Sequence, residues 1–420
     1  MDRFLVRGGR PLRGAVRVAS AKNAVLPILA ACLLTEEECV VRDVPALADV
    51  ATMLRLLAAM GVRVARSGRT VRLRAAGQIA REAPYDIVRK MRAGYYVLGP
   101  LVGRFGQARV SLPGGCAIGA RPVDLHLKGL EALGTRVEVE HGYIVARARR
   151  LAGGPMLLEG TRGPSVGATA NVMMAAVLAR GETVIDGAAR EPEVVDLADF
   201  LNRLGARIEG VGTPTVRIRG VRALGGAEFR PIPDRVEAGT FAAAAALTGG
   251  RVEIRNCRPD HLSAVIDKLG EAGVEVECRK RSMTVTGRGR PGPLNIGTAP
   301  YPGFPTDLQA QFTALLTVAK GTSVVTENIF EARFLHAMEL QRLGAAIEVT
   351  GNVAVIRGRE RLSGAQVMAS DLRASAALVL AGLVAEGETE VLRIYHLDRG
   401  YERIEDKLGA LGARIERLAE

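Results

Sequence analysis

A chain of 420 residues with a net charge of +12, 48% hydrophobic and 24% charged, has the composition of an ordered globular protein and the length of two to three domains. Its longest apolar runs, such as 241–247 and 376–384, fall well short of the ~20 residues of a membrane span, and no signal-peptide core follows Met1. Five cysteines without a Cys-x-x-Cys pair or a His/Cys cluster suggest neither a zinc site nor a disulfide framework and fit a reducing cytoplasm, while 4% aromatic residues and no Trp weigh against nucleic acid as the partner of the basic surface.

In chain order the sequence is one unit repeated six times. It opens on Phe4-Leu-Val-Arg-Gly-Gly-Arg-Pro-Leu-Arg-Gly-Ala-Val-Arg-Val-Ala, which resembles Ala354-Val-Ile-Arg-Gly-Arg-Glu-Arg-Leu-Ser-Gly-Ala-Gln-Val-Met-Ala, the tail of the fifth unit. The sixth unit reaches Glu420 without such a tail, so the N-terminal segment is expected to supply it. Each unit then has a helix starting near Ser20, Asp86, Ser165, Asp234, Asp307 or Asp371, all N-cap residue types. Bodies such as Thr169-Ala-Asn-Val-Met-Met-Ala-Ala-Val-Leu-Ala and Phe241-Ala-Ala-Ala-Ala-Ala-Leu are apolar nearly all round, which predicts interior helices. A tight turn and a short strand follow, as in Gly181-Glu-Thr-Val-Ile and Gly321-Thr-Ser-Val-Val. A second helix closes at a glycine before an alternating strand, at Gly61, Gly134, Gly205, Gly273, Gly344 and Gly412, spaced 68–73 residues apart. Before Gly205 this helix sets Val194, Leu197, Leu201 and Leu204 on one face. The fold class is α/β. Units one to three span 20–230, units four to six span 231–420 plus 1–19, and Pro231-Ile-Pro233 marks the crossing.

A helix followed by a tight turn and a strand runs antiparallel to that strand, so helix starts and strand ends share one end of each unit. Polar residues collect in those two places. Helix starts carry Lys22 and Asn23, Arg92, Ser165 and Gly167, Asp234, Asp307, and Asp371 with Arg373. Loops after strands carry Cys116 and Arg121, Glu191, Ile329 and Arg333, and Arg399. With the positive helix termini, this placement reads as a site for a polyanionic substrate. Taken singly, Asp307 and Asp371 are ordinary helix caps, a strand-end arginine is ordinarily solvated, and first-turn His126 is an ordinary hydrogen-bonded structural residue. Lys22 is less ordinary, because it opposes the helix dipole unless an anion compensates it. Cys116 lies in Ser111-Leu-Pro-Gly-Gly-Cys116-Ala-Ile-Gly-Ala-Arg121-Pro-Val-Asp124-Leu-His126, where guanidinium and amide dipoles favour proton or covalent chemistry at sulfur. Cys32, Cys39, Cys257 and Cys278 read as buried small hydrophobes.

The repeat, Ser20-Ala-Lys22-Asn23-Ala, the Pro113-Gly-Gly-Cys116 loop, Phe304-Pro-Thr-Asp307-Leu-Gln-Ala-Gln, Asp371-Leu-Arg373-Ala-Ser and Asp398-Arg399-Gly-Tyr-Glu-Arg resemble the enolpyruvyl transferase family over essentially the whole chain. The likeness is to its UDP-N-acetylglucosamine 1-carboxyvinyltransferase branch, which opens bacterial peptidoglycan synthesis. The resemblance implies two inside-out α/β barrel domains, with the site in the cleft between them, in a cytoplasmic enzyme. It implies small-molecule substrates, no metal or cofactor, and neither a membrane nor a nucleic acid as partner. The sugar 3′-hydroxyl would add to carbon 2 of phosphoenolpyruvate while carbon 3 gains a proton, and phosphate would then leave. By the same resemblance Cys116, Lys22, Asp307 and Arg399 are catalytic, and phosphoenolpyruvate contacts Lys22, Asn23, Arg121 and Arg399. The nucleotide sugar contacts Arg92 and the segment Arg121, Pro122, Val123, Asp124 and Leu125. It also contacts Ser165, Val166 and Gly167, then Asp307, Ile329 and Arg333, with Asp371 and Arg373 as the far wall. Two residues before Ser165 this chain has Gly163 where the family has a lysine, with Arg162 alongside. Three other readings stay open. The Gly-Gly-Cys loop speaks against a shikimate-using transferase, and Cys116, Lys22 and Asp307 together speak against a ligand-binding paralogue without turnover. An RNA-binding repeat protein using the basic surface is the alternative from another class.

Overall fold

The six repeat glycines set the rhythm of the chain. All of them adopt φ between 79° and 102°, where an L side chain is strained, and each turns an outer helix into the strand that follows. The computed structural model describes residues 2–89, 91–112 and 123–419. Cys116, Arg121 and Pro122 lie outside the described residues.

Each repeat contributes an interior helix and an outer one. They are α1 (Lys22–Ala31) and α2 (Ala48–Ala59), α3 (Leu98–Phe105) and α4 (Asp124–Ala132), and α5 (Val166–Ala176) and α6 (Pro192–Arg203). Then come α7 (Arg235–Leu247) and α8 (Ser263–Glu271), α9 (Thr306–Leu316) and α10 (Leu335–Arg342), and α11 (Leu372–Gly382) and α12 (Ile404–Ala410). The all-round apolar sequences are the interior ones: α7 is buried from Val236 to Leu247 and α11 from Arg373 to Gly382. Outer helices bury a stripe, Val265 and Leu269 in α8 and Ile404 and Leu408 in α12.

Every repeat also builds a four-stranded sheet of one pattern, a parallel pair followed by two antiparallel partners. In the fifth, Asn295–Gly297 runs parallel to Thr322–Thr326, which pairs antiparallel with Val353–Arg357, which in turn pairs with Ala346–Thr350. The sixth sheet has the same order, and the strand Arg3–Arg7 fills the place of Val353–Arg357, between Glu388–Leu392 and Arg414–Leu418. These sheets are separate ladders, and no closed barrel is found among the described residues.

The chain divides into two units, one of 20–112 and 123–232, the other of 2–19 and 233–419, each around its own hydrophobic core. In the first unit the strand Ala227–Phe229 pairs parallel with Cys39–Val41, so the end of the unit closes onto its beginning. In the second, Arg13–Arg17 plays that part beside Arg251–Arg255.

Four expectations need correction. A helix does begin near Asp86, but it is a separate single turn, Tyr85–Val88, with Pro84 and not Asp86 at its N-cap; a 3-10 segment, Arg92–Val97, follows, and the second interior helix begins at Leu98. Val88 and Met91 reach the core ahead of Gly94, but the glycines that bring α3 against α5 lie later. A Cβ on Gly99 would collide with the Asn171 carbonyl, and one on Gly103 would come within 3.1 Å of the Ala175 Cα. Ser20 does not cap α1, whose N-cap position is Ala21, and Asp307 does not cap α9, where Pro305 holds that place. Cys278 is exposed near the end of the edge strand Glu275–Arg279, although it shares the face of Val276 and lies opposite buried Met283, whereas Cys32, Cys39 and Cys257 are buried.

Candidate active site

In the second unit, the Asp307 carboxylate joins a helix start to a strand-end loop and to the next helix start. Its Oδ1 accepts from Arg333 Nη2 at 2.7 Å and its Oδ2 from Arg373 Nη2 at 2.8 Å. Arg333 comes from the loop after Thr322–Thr326, and Arg373 from the first turn of α11. Both guanidiniums are 5% exposed and the carboxylate 28%. Burial pushes the Asp307 carboxyl up, but the Arg373 and Arg333 charges outweigh it and hold it well below the usual carboxylate range. Two cations thus meet on this one carboxylate, and Asp234 also acts on Arg373.

A second layer supports this clasp. Arg333 Nη1 donates to Thr306 Oγ1 at 2.7 Å, and that hydroxyl donates to Glu327 Oε2 at 2.8 Å. The other oxygen of buried Glu327 accepts from the Ile329 and Phe330 amides at 2.8 and 3.1 Å, which shapes the loop that carries Ile329 and Arg333. Gln311 Nε2 lies 3.1 Å from the Asp307 carbonyl, from Tyr401 Oη and from Thr240 Oγ1, tying α7 and α9 to the segment after Arg399. Sequence reasoning missed Thr306, Glu327 and Gln311. A polar residue inside an apolar helix was the one signal available, and for Gln311 it was present.

Asp371 is the helix cap its position suggests, accepting from the Arg373 and Ala374 amides at 2.9 and 3.1 Å. It also faces His336, whose pKa burial and Arg333 push down to about 4 against the pull of Asp371. Burial and Arg399 likewise lower His396, so Arg399, His396, Asp371 and His336 share one neighbourhood. Arg399 ends the turn Ile394–Arg399 and is half-buried.

In the first unit, Lys22 is the first residue of α1 and its Nζ pairs with Asp49 Oδ2 at 3.1 Å. Asp49, in the first turn of α2, is the compensating anion that Lys22 requires, and sequence reasoning did not single it out. Asn23 follows, half-buried. Ser165 caps α5 through the Ala168 amide at 3.3 Å, leaving Val166 and Gly167 as the helix's first two residues. Val123 precedes α4, Asp124 is exposed at its start, and Leu125 packs toward Gly160. Arg92 begins its 3-10 segment close enough to His126 to depress the imidazole's pKa. Gly163 sits in a short hairpin at φ 90°, with Arg162 exposed at the turn.

The sequence profile of the EPSP synthase (3-phosphoshikimate 1-carboxyvinyltransferase) family matches residues 6–408. The chain is 53% identical to the UDP-N-acetylglucosamine 1-carboxyvinyltransferase of Trichlorobacter lovleyi, with all of both proteins covered. It is 56% identical to that of Anaeromyxobacter sp. strain K, again with both fully covered, and 54% identical to that of Klebsiella pneumoniae, covering 100% of this chain and 99% of the relative. The chain belongs to the UDP-N-acetylglucosamine 1-carboxyvinyltransferase family of enolpyruvyl transferases. Among solved structures it is similar to the enolpyruvyl transferase NikO from Streptomyces tendae, with a TM-score of 0.89 at 26% identity, covering 100% of this chain and 99% of that one. An EPSP synthase from Acinetobacter baumannii matches with a TM-score of 0.76 at 17% identity over the whole of both chains, a likeness of fold alone. No helix among the described residues is long and apolar enough to cross a membrane.

Proposed function

We propose that this chain transfers the enolpyruvyl group of phosphoenolpyruvate to the 3′-hydroxyl of UDP-N-acetylglucosamine and releases phosphate, the first committed step of peptidoglycan synthesis, in the cytoplasm. The observation that carries the reading is the ionised Asp307 carboxylate clasped by Arg333 and Arg373, in a chain that matches these transferases from end to end. We further propose that the two units are the two inside-out barrel domains of the resemblance, at 20–230 and at 1–19 plus 231–420.

The chemistry starts with two anionic substrates. Lys22, Asn23, Arg121 and Arg399 hold the phosphate and carboxylate of phosphoenolpyruvate, work done by preorganised charge. Ser165, Val166 and Gly167, with Arg92, Pro122, Val123, Asp124 and Leu125, hold the nucleotide sugar, and Ile329, Arg333, Asp371 and Arg373 complete its site. The sugar hydroxyl loses its proton to Asp307 as its oxygen bonds to carbon 2, while Cys116 or Lys22 delivers a proton to carbon 3. In the elimination, the bond from carbon 2 to the phosphate oxygen breaks as the carbon 3 methyl group returns a proton to the group that supplied it, which releases phosphate and regenerates the carbon–carbon double bond. A carboxylate held by two guanidiniums is a weak base, so substrate phosphates that draw Arg333 or Arg373 toward themselves raise its proton affinity at the moment of need.

A phosphate-release assay tests the reading directly. Release from phosphoenolpyruvate is expected with UDP-N-acetylglucosamine as acceptor, and release only with shikimate 3-phosphate overturns it. Fosfomycin, which the resemblance points to, is expected to alkylate Cys116 by thiolate opening of its epoxide, as read by peptide mapping, and modification of Cys278 instead would reassign the nucleophile.

A further inference from the structure

We infer that His126 is a positioning residue for the nucleotide sugar, presenting a neutral Nε2–H donor at the start of α5. The inference deepens the reading above and rests on it, because it assumes that the segment before His126 and the start of α5 both serve that ligand.

The tautomer follows from one amide. In buried Asn171, on α5, Oδ1 accepts from the Gly99 amide of α3 at 2.8 Å, which fixes which end of the side chain is oxygen. Its Nδ2 therefore faces His126 Nδ1 at 3.0 Å as a donor, with a longer contact of 3.4 Å to the Gly167 carbonyl. A ring nitrogen that accepts here leaves the proton of a neutral imidazole on Nε2. Burial, followed by the charge of Arg92, pushes the His126 pKa down to about 3, so the ring is uncharged at neutral pH.

The protonated edge of the ring has a defined destination. His126 is 7% exposed, and its Nε2 has no partner among the described residues. A Cβ built on Gly167 would lie 2.9 Å from Cε1 and 3.0 Å from Nε2, so the imidazole edge rests on the second residue of α5. Gly167 lacks a left-handed φ, and close approach by the ring is what its missing side chain permits. The Tyr95 ring meets His126 edge-on, with centroids 5.3 Å apart, and limits its rotation. One imidazole on α4 thus meets α5 and the 3-10 segment before α3, and adds a side-chain donor to the amides of a helix N-terminus.

Two experiments test this. Long-range proton–nitrogen correlation of the histidine rings in the ligand-free protein is expected to show His126 as the neutral Nε2–H tautomer. An Nδ1–H or doubly protonated ring overturns the inference, whatever the enzyme's substrate. Steady-state kinetics then separate positioning from general damage. His126→Asn keeps an acceptor for Asn171 but removes the distal donor, and should raise KM for UDP-N-acetylglucosamine about ten-fold while leaving KM for phosphoenolpyruvate within about two-fold. His126→Gln, which restores a distal donor, should recover most of that loss. Gly167→Ala should also raise KM for the nucleotide sugar, and less so in the His126→Asn background, where the methyl no longer meets a ring. Equal loss in the Asn and Gln variants, or equal effects on both substrates, overturns the inference. A native enzyme that does not turn over UDP-N-acetylglucosamine instead defeats the functional reading and leaves the tautomer result standing.

Discussion

The starts of α1 and α9 place charge at equivalent points of the repeat and balance it in opposite ways. At α1 the helix residue is the cation: Lys22 sits against the dipole and is paired with Asp49, 3.1 Å away. At α9 the helix residue is the carboxylate, favoured by the dipole, and two guanidiniums from other segments close on it. The lysine pair sets one cation against one carboxylate, while the arginine clasp sets two cations against Asp307, with Asp234 acting on Arg373 as well. A carboxylate clasped by two guanidiniums is least basic while both hold it, so an anion that draws one of them away raises its proton affinity.

The sharpest way to break this contrast is Asp307→Asn. Removing the one carboxylate strands two guanidiniums, and turnover should fall by about 10³-fold while stability falls by roughly 2–3 kcal/mol, discounted for the partial exposure of Asp307. Turnover and the urea midpoint read the two effects, and unchanged stability would mean that the arginines do not depend on Asp307. The pH dependence has a fixed sign. The folded-state pKa is depressed, so the stability gap between wild type and variant should be level from neutral pH downward and shrink only as pH falls below 3.8, the ordinary value.

Lys22→Ala comes next, with about 10²-fold lost from turnover, because its charge is used on phosphoenolpyruvate and not only on Asp49. Asp49→Asn separates the two roles, since it removes the Asp49 charge while keeping Lys22, and should cost only about three- to ten-fold. Equal losses in the two variants would make Asp49 a participant in the chemistry. The smallest effect belongs to Arg149→Ala, an exposed cation outside both clusters, where stability should change by no more than about 0.5 kcal/mol and turnover should hold.

What the sequence revealed and what it concealed divide along physical lines. Gly61 and its five counterparts were legible because positive φ is nearly glycine's alone, and they located every outer helix end. The likeness of Phe4-Leu-Val-Arg to Ala354-Val-Ile-Arg was legible because both occupy the same place between two antiparallel strands. The junction of Asp307, Arg333 and Arg373 followed from topology, but the pairing itself did not, and a helix cap was the simpler expectation for Asp307. Asp49 and Glu327 escaped notice because a carboxylate near an element end is common, and only the folded chain tells which cation or amide it meets. Asp86 and Cys278 misled for a related reason: local residue type suggested a cap and a buried thiol, while Pro84 takes the cap position and Cys278 lies near the end of an edge strand.

The strand Arg3–Arg7 has a consequence for how the protein is made. It leaves the ribosome long before its neighbours in the ladder: Arg7 and its partner Glu388 are 381 positions apart. At about 5–20 residues per second, that segment waits roughly 20–80 seconds for its sheet, while the unit closed by Ala227–Phe229 has all its strands far earlier. Vectorial synthesis therefore completes the unit closed by Ala227–Phe229 before Arg3–Arg7 can enter its sheet, so a bulky group joined ahead of Arg3 would burden that later step and leave the earlier one untouched.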